Sequence, residues 1–316
     1  MEKDKKHTVL NKNKTSKNCF ENWYFKLVDA RKENTIGILI GVQITHQGEE
    51  AFVQVIGNGV SEDVCVNYPL ESVKSKDEEI QIGDNYLGLQ KITLNIEKEG
   101  LTVKGEVTFS NHKQLKESLW IPGLMGPYKY LPFLESYHEV VSLQNTLMGS
   151  LWINEKQIIF NEGKGYIEKD WGKTFPNIWL WAQCNHFKRQ DVALMIGVAR
   201  LPIFFNYYTS FAIPIYYKDQ LEIFSNYNGA HIAKLYRYKG YVHLIVIQKS
   251  KILDIKIYGS DEVSCVTSRS SHMIRDVYAC DTAKIELSIT ENGKTIFEEV
   301  GTLCELEMGG NTSKLK

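Results

Sequence analysis

What most constrains this chain is its period. From residue 19 onward, apolar side chains recur at a spacing of two in short runs, and no stretch sustains the period of an ordinary helix. Ile36–Thr45, Ala51–Ile56, Lys91–Ile96 and Leu101–Phe109 read as strands. Tyr241–Gln248 puts Val242, Leu244 and Val246 on one face, and Tyr241, His243, Ile245 and Ile247 on the other, as a strand largely buried on both sides would. Lys284–Ile289 alternates again, and Glu291-Asn292-Gly293-Lys294 then supplies a hairpin turn. Leu303, Glu305 and Glu307 alternate with Cys304, Leu306 and Met308. The longest apolar stretch, Val192–Tyr217, is interrupted by Arg200, Pro202, Asn206 and Pro214, so it reads as strand, bend, strand and not as a membrane span. Many strands joined by Gly, Asn and Asp turns predict an all-β protein built of antiparallel barrels or sandwiches.

A length of 316 residues leaves room for two such domains. Turn residues at Asn154-Glu155-Lys156 and Asn161–Gly165 suggest a boundary near 145–165, giving domains at 19–155 and 156–310. Residues 1–18 hold six lysines against Glu2 and Asp4 without an apolar run, as expected of a disordered basic tail that serves solubility and is no secretion signal. The net charge of −1 excludes a strong global pull toward nucleic acid or an acidic membrane. The six cysteines form no C-x-x-C, which points to a reduced, cytoplasmic setting. Among the histidines there is no H-E-x-x-H or H-x-H, and the chain has no Walker loop, G-x-G-x-x-G or G-x-S-x-G, so neither a metal nor a cofactor is expected.

Gly163–Phe187 carries the most information: three of the six tryptophans fall within it. As a strand, Tyr166–Trp171 places Tyr166, Glu168 and Asp170 on one face, and Ile167, Lys169 and Trp171 on the other. Two carboxylates so close cannot both ionise easily once desolvated, so the pair should titrate as a unit with one pKa raised. A carboxylic acid of that kind suits general acid catalysis at neutral pH. In the next strand Trp179, Trp181, Gln183 and Asn185 share a face, an apolar wall with polar anchors for a greasy ligand with a polar head. Spacing alone leaves a plainer alternative open: solvated carboxylates beside Lys169, and tryptophans that are core.

At these residues the chain resembles the tocopherol cyclase-like family, whose signature runs approximately Y-x-E-K-N-W-G-x-x-F-P, then W-x-W-x-Q-C-N-x-F. Tyr166, Glu168, Lys169, Trp171, Gly172, Phe175 and Pro176 match, followed by Trp179, Trp181, Gln183, Cys184, Asn185 and Phe187. Phe20–Lys26 is similar to an N-terminal F-E-G-W-Y-F-K block, and Gly123–Phe133, Tyr137–Ser142, Phe224–Ala230 and Leu303–Gly310 also fit, so the likeness covers roughly residues 20–310. Asp170 replaces an Asn, Lys173-Thr174 a Gly-Gly pair and Asn22 a Gly, and the lysine-rich tail is unlike a plastid transit peptide. The resemblance implies two lipocalin-like antiparallel β-barrels. It also implies a chemistry in which a prenyl double bond is protonated and a phenol oxygen captures the cation, or water does in the related hydratases. Glu168 would be the general acid and Tyr166 its orienting partner, with Asp170 tuning it. Trp171, Trp179, Trp181, Gln183 and Asn185 would line the ligand site, and His138 would be a secondary polar group. The expected partner is a small hydrophobic, lipid-like ligand and not nucleic acid, with a peripheral membrane contact as a route for collecting it. A carrier of the same fold without catalysis is the alternative.

Overall fold

A computed structural model describes residues 18–46, 48–58, 60, 64–76, 79–98, 100–115, 123–132, 134–203, 206–259, 264–265 and 277–315. Residues 1–17, most of the expected basic tail, lie outside the described residues. The described residues contain strands and short 3-10 turns and no α-helix. None of their helices is long and apolar enough to cross a membrane.

The first sheet opens with β1 (Cys19–Val28), β2 (Thr35–Thr45), β3 (Gly48–Ile56) and β4 (Val64–Tyr68). It continues through β5 (Val73–Lys76), β6 (Glu79–Ile82), β7 (Asn85–Gly88) and β8 (Lys91–Lys98). β9 (Leu101–Lys113), β10 (Ser136–Ile153), β11 (Lys156–Ile159) and β12 (Gly163–Gly172) complete it. The second sheet holds β13 (Trp179–Cys184), β14 (Ala193–Ile203), β15 (Asn206–Tyr217), β16 (Gln220–Ser225) and β17 (His231–Tyr238). Then come β18 (Tyr241–Gln248), β19 (Lys251–Tyr258), β20 (Ser264–Cys265), β21 (Val277–Glu291) and β22 (Lys294–Gly309).

Both are curled antiparallel sheets of lipocalin-like form with one topology used twice. In the first, β1 pairs with the last strand, β12, while β2, β3 and β4 follow outward on its other side. In the second, β13 pairs with the last strand, β22, and β14, β15 and β16 follow outward in the same way. The strand order is thus repeated between the two sheets.

The period of two explains the packing. Trp23, Phe25 and Leu27 of β1, Ile36, Ile38 and Ile40 of β2, and Ile167 of β12 enter one apolar core with side chains from β3 and β6 to β11. Leu180 and Ala182 of β13, Val242 and Leu244 of β18, and Ile285 and Leu287 of β21 enter the other. Full burial of a side chain such as Phe25 is worth about 3 kcal/mol, so each register is strongly specified.

The chain divides into residues 1–114 with 136–175, and 115–135 with 176–316. This differs from the boundary expected at 155/156. β11 and β12 belong to the first sheet, because Asn154, with φ of 52°, merely turns the β10–β11 hairpin. Turn residues mark a change of direction, and a hairpin and a domain boundary use the same ones.

Candidate active site on the last strand of the first sheet

β12 lies between β1 and β10, antiparallel to both. The register sets Lys26 beside Tyr166, then Tyr24, Glu168 and Val140 in one row, and Asn22, Asp170 and His138 in the next. Residues directly opposite one another point to the same face, so this face carries a polar group from each strand. It is the face away from Ile167 and the apolar core. It is nevertheless largely buried: Tyr166 and Lys26 are wholly covered, Glu168 is 7% exposed, and His138 and Asp170 are partly covered.

The side chains form a connected array. The Tyr166 hydroxyl donates to Glu168 Oε2 at 2.5 Å. His138 Nδ1 lies 2.6 Å from Asp170 Oδ1, and Nε2 lies 3.5 Å from Glu168 Oε2. Burial opposes charge on His138, but the Asp170 and Glu168 carboxylates, the hydrogen bond to Asp170 and more distant Glu139 outweigh it and push the imidazole up to about 9. At neutral pH it is therefore an imidazolium with a proton on each nitrogen. The expected carboxylate pair is thus bridged: the His138 imidazole stands between Glu168 and Asp170. His138, ranked below the carboxylates in the sequence, links them in the fold.

His138, Glu168 and Asp170 also offer one ligand atom each, all within 4.8 Å of one another, a spacing that a divalent cation could bridge. No short linear motif contains this set, because its members sit on two strands and Glu168 follows His138 by 30 positions. The hydrogen bonds from Tyr166 and to Asp170 engage the same atoms with protons.

The other face of β12 has a different character. Lys169 Nζ pairs with Glu21 Oε1 at 2.8 Å and lies 4.9 Å from the Trp23 ring and 5.7 Å from that of Trp171. Trp171 stacks on Tyr137 at 5.5 Å. Trp171, expected to line the ligand site, therefore sits with Lys169 across the sheet from Glu168, as strict alternation requires. Asp170 faces His138 and not its neighbour Lys169. Trp179, Trp181 and Gln183 do share one face of β13, opposite Leu180 and Ala182 of the second core, while Asn185 follows the strand and is fully buried. The four belong to the second unit and the carboxylates to the first, so the signature segment spans the join between units. Trp179 fits because its register partner is Gly309, where a Cβ would come within 2.1 Å of the indole.

Asn22, Tyr24 and Lys26 were missed as members of the site. Their sequence signal is the Phe20–Lys26 block that resembles the family pattern, and β1 buries residues of both its faces, Lys26 among them. The pairing of strands so distant in sequence is what makes them neighbours of Tyr166 and Glu168.

Two curled antiparallel sheets of like topology, with a partly buried imidazole–carboxylate array on the first, define a double lipocalin-like protein. The model of the family described as tocopherol cyclase-like matches residues 101–310, and the chain belongs to that family. It is 26% identical over 121 residues to "Tocopherol cyclase, chloroplastic" of Zea mays, covering 37% of this chain and 24% of the maize protein. It is 28% identical over 102 residues to "Probable tocopherol cyclase, chloroplastic" of Oryza sativa subsp. japonica, covering 31% and 22%. The matches thus span about a quarter of the length of these curated relatives. Among solved structures, CghA with Sch210972 superposes with a TM-score of 0.63 at 9% identity, over 93% of this chain and 89% of that one. Kievitone hydratase from Nectria haematococca gives 0.53 at 11%, over 95% and 91%. A putative AttH from Nitrosomonas europaea gives 0.55 at 14%, over 93% and 92%. At these identities the likeness is one of fold.

Proposed function

We propose that this chain catalyses an acid-driven cyclisation of a prenylated quinol or related isoprenoid, an intramolecular addition across a double bond. The observation that carries the reading is the largely buried array Tyr166–Glu168–His138–Asp170, in which Tyr166 donates to Glu168, His138 bonds Asp170 at 2.6 Å and lies 3.5 Å from Glu168, and the two carboxylates favour a proton on the imidazole. His138 stores the proton and Glu168, oriented by Tyr166, passes it to the less substituted alkene carbon. The tertiary cation is captured by the substrate's phenolic oxygen, whose proton returns to Glu168 and then to His138. One C–H and one C–O bond form, the π bond and one O–H bond break, and neither oxidant nor cofactor is consumed. The proton chemistry uses residues of the first unit alone. The maize relative's name and the hydratase among the fold neighbours agree with alkene protonation.

To test this, prenylated quinols are incubated with the protein and products are followed by mass spectrometry. Glu168→Gln, which keeps the shape and removes the acid, is expected to lower turnover by roughly 10²–10⁴-fold. Equal turnover by this variant would remove Glu168 from the chemistry.

A further inference from the structure

The outer face of the second sheet ends in a band of tyrosines that the core does not use. Register aligns Tyr238 of β17, Tyr241 of β18, Tyr258 of β19 and Lys284 of β21 in one row. Tyr236, His243, Lys256 and Glu286 form the next. The intervening residues Val242, Leu244, Ile255, Ile257 and Ile285 point into the core, so both rows point out. Tyr236 is 49% exposed and Tyr238 62%. The Tyr241 ring lies 6.3 Å from that of Tyr236 and 5.3 Å from that of Tyr258, so the rings form one patch.

Cations frame the patch. The β17–β18 hairpin reads KLYRYKGY from Lys234 to Tyr241, without an acidic residue. Its turn, Lys239-Gly240, puts Lys239 in the left-handed region with φ of 51° and projects it at the tip. Among the described residues, Glu286 pairs with Lys284 and accepts from the Tyr258 hydroxyl, while Asp254 pairs with His243, whose other ring nitrogen lies 3.0 Å from Lys234 Nζ. β17 is also the outermost strand on its side of the sheet.

We infer that this tyrosine band and its basic hairpin form a docking surface for an anionic lipid membrane. Tyrosine suits a membrane interface, with an apolar ring and a hydroxyl that stays among headgroups, and flanking lysines meet anionic headgroups. A nucleic acid would need open ring faces for base stacking. Here Lys239 stands 5.9 Å from the Tyr238 ring centroid and Lys284 5.4 Å from that of Tyr258, so a lysine already lies against each of these two rings. The attraction is local, since the whole chain carries a net charge of −1. The surface is independent of the proposed acid chemistry.

The test is cosedimentation of the full chain with phosphatidylcholine vesicles, with and without phosphatidylglycerol, at low and high salt. The full chain should bind the anionic vesicles and release them as salt rises. Two variants, Tyr236→Ser with Tyr238→Ser and Lys234→Gln with Lys239→Gln, should each bind at least about tenfold more weakly, because aromatic burial and headgroup attraction both contribute. Circular dichroism melts matching the wild type would show that the exposed changes leave the fold intact. Undiminished vesicle binding by both variants would assign the attraction to the lysines of residues 1–17 and overturn the inference. So would failure to bind vesicles at all, or binding of a single-stranded oligonucleotide in their place.

Discussion

Asp170 stands where the family pattern carries an Asn, and its carboxylate is what holds His138 at 2.6 Å. An amide there could accept the same hydrogen bond but could not stabilise an imidazolium by charge. Asp170→Asn should therefore bring the His138 pKa down from about 9, which a two-dimensional NMR titration of the imidazole would read directly. The consequence for stability has a definite sign. His138 is raised from 6.5 to about 9 on folding, so its contribution is fully present below pH 6.5 and is lost as the pH rises through 9. The shift corresponds to about 3 kcal/mol as an upper bound. Wild type should lose melting temperature between pH 6.5 and pH 9.5, and Asp170→Asn should lose less over that range. A flat wild-type profile would mean that His138 is not charged in the fold. Asn22 is another departure from the family pattern, and a glycine accommodates it: a Cβ on Gly41 would lie 2.2 Å from Asn22 Oδ1 and 2.7 Å from the Glu21 carbonyl. Gly41→Ala is expected to cost about 1–3 kcal/mol in a denaturant melt, because backbone on that side cannot give way.

At the scale of elements, the site is a property of three strands in register. Tyr166 reaches Glu168 along one strand, and β10 brings His138 across from β12. Tyr166→Phe keeps the ring buried and removes only the donor to Glu168. We expect a stable protein, with turnover of a prenylated quinol reduced by about 10–100-fold and KM little changed, as befits loss of an orienting bond. A rise in KM with kcat unchanged would make Tyr166 a substrate-binding group instead. Much at this scale was legible in the sequence. Tyr241–Gln248 is β18 to the residue, Lys91–Ile96 and Leu101–Phe109 are β8 and β9 without their ends, and the Asn292-Gly293 turn joins β21 to β22. The common face of Tyr166, Glu168 and Asp170 followed from the period of two. What period cannot supply is pairing. His138 lies opposite Asp170, and Asn22 lies on the other side, because three strands distant in the chain meet in one register.

For the whole molecule, the length that predicted two domains is realised as one sheet topology used twice, each sheet joining its first strand to its last. The expected division at 155/156 moves to 175/176 because the signature segment supplies the closing strand of the first sheet and the opening strand of the second. A single block of sequence thereby carries the carboxylates and Trp171 of one unit and Trp179 and Trp181 of the other. This concentrates the family's motif in 25 or so residues without requiring those residues to form one surface.

The central claim is that the Glu168–His138 array delivers a proton to carbon. The most direct measurement is turnover of a prenylated quinol in deuterium oxide, with the product analysed by mass spectrometry and NMR. The wild-type product should carry one deuterium bonded to carbon, at the alkene position that was protonated, and turnover should fall by at least about 10²-fold in Glu168→Gln. Cyclised product without deuterium at that carbon, or undiminished turnover by the variant, would contradict it.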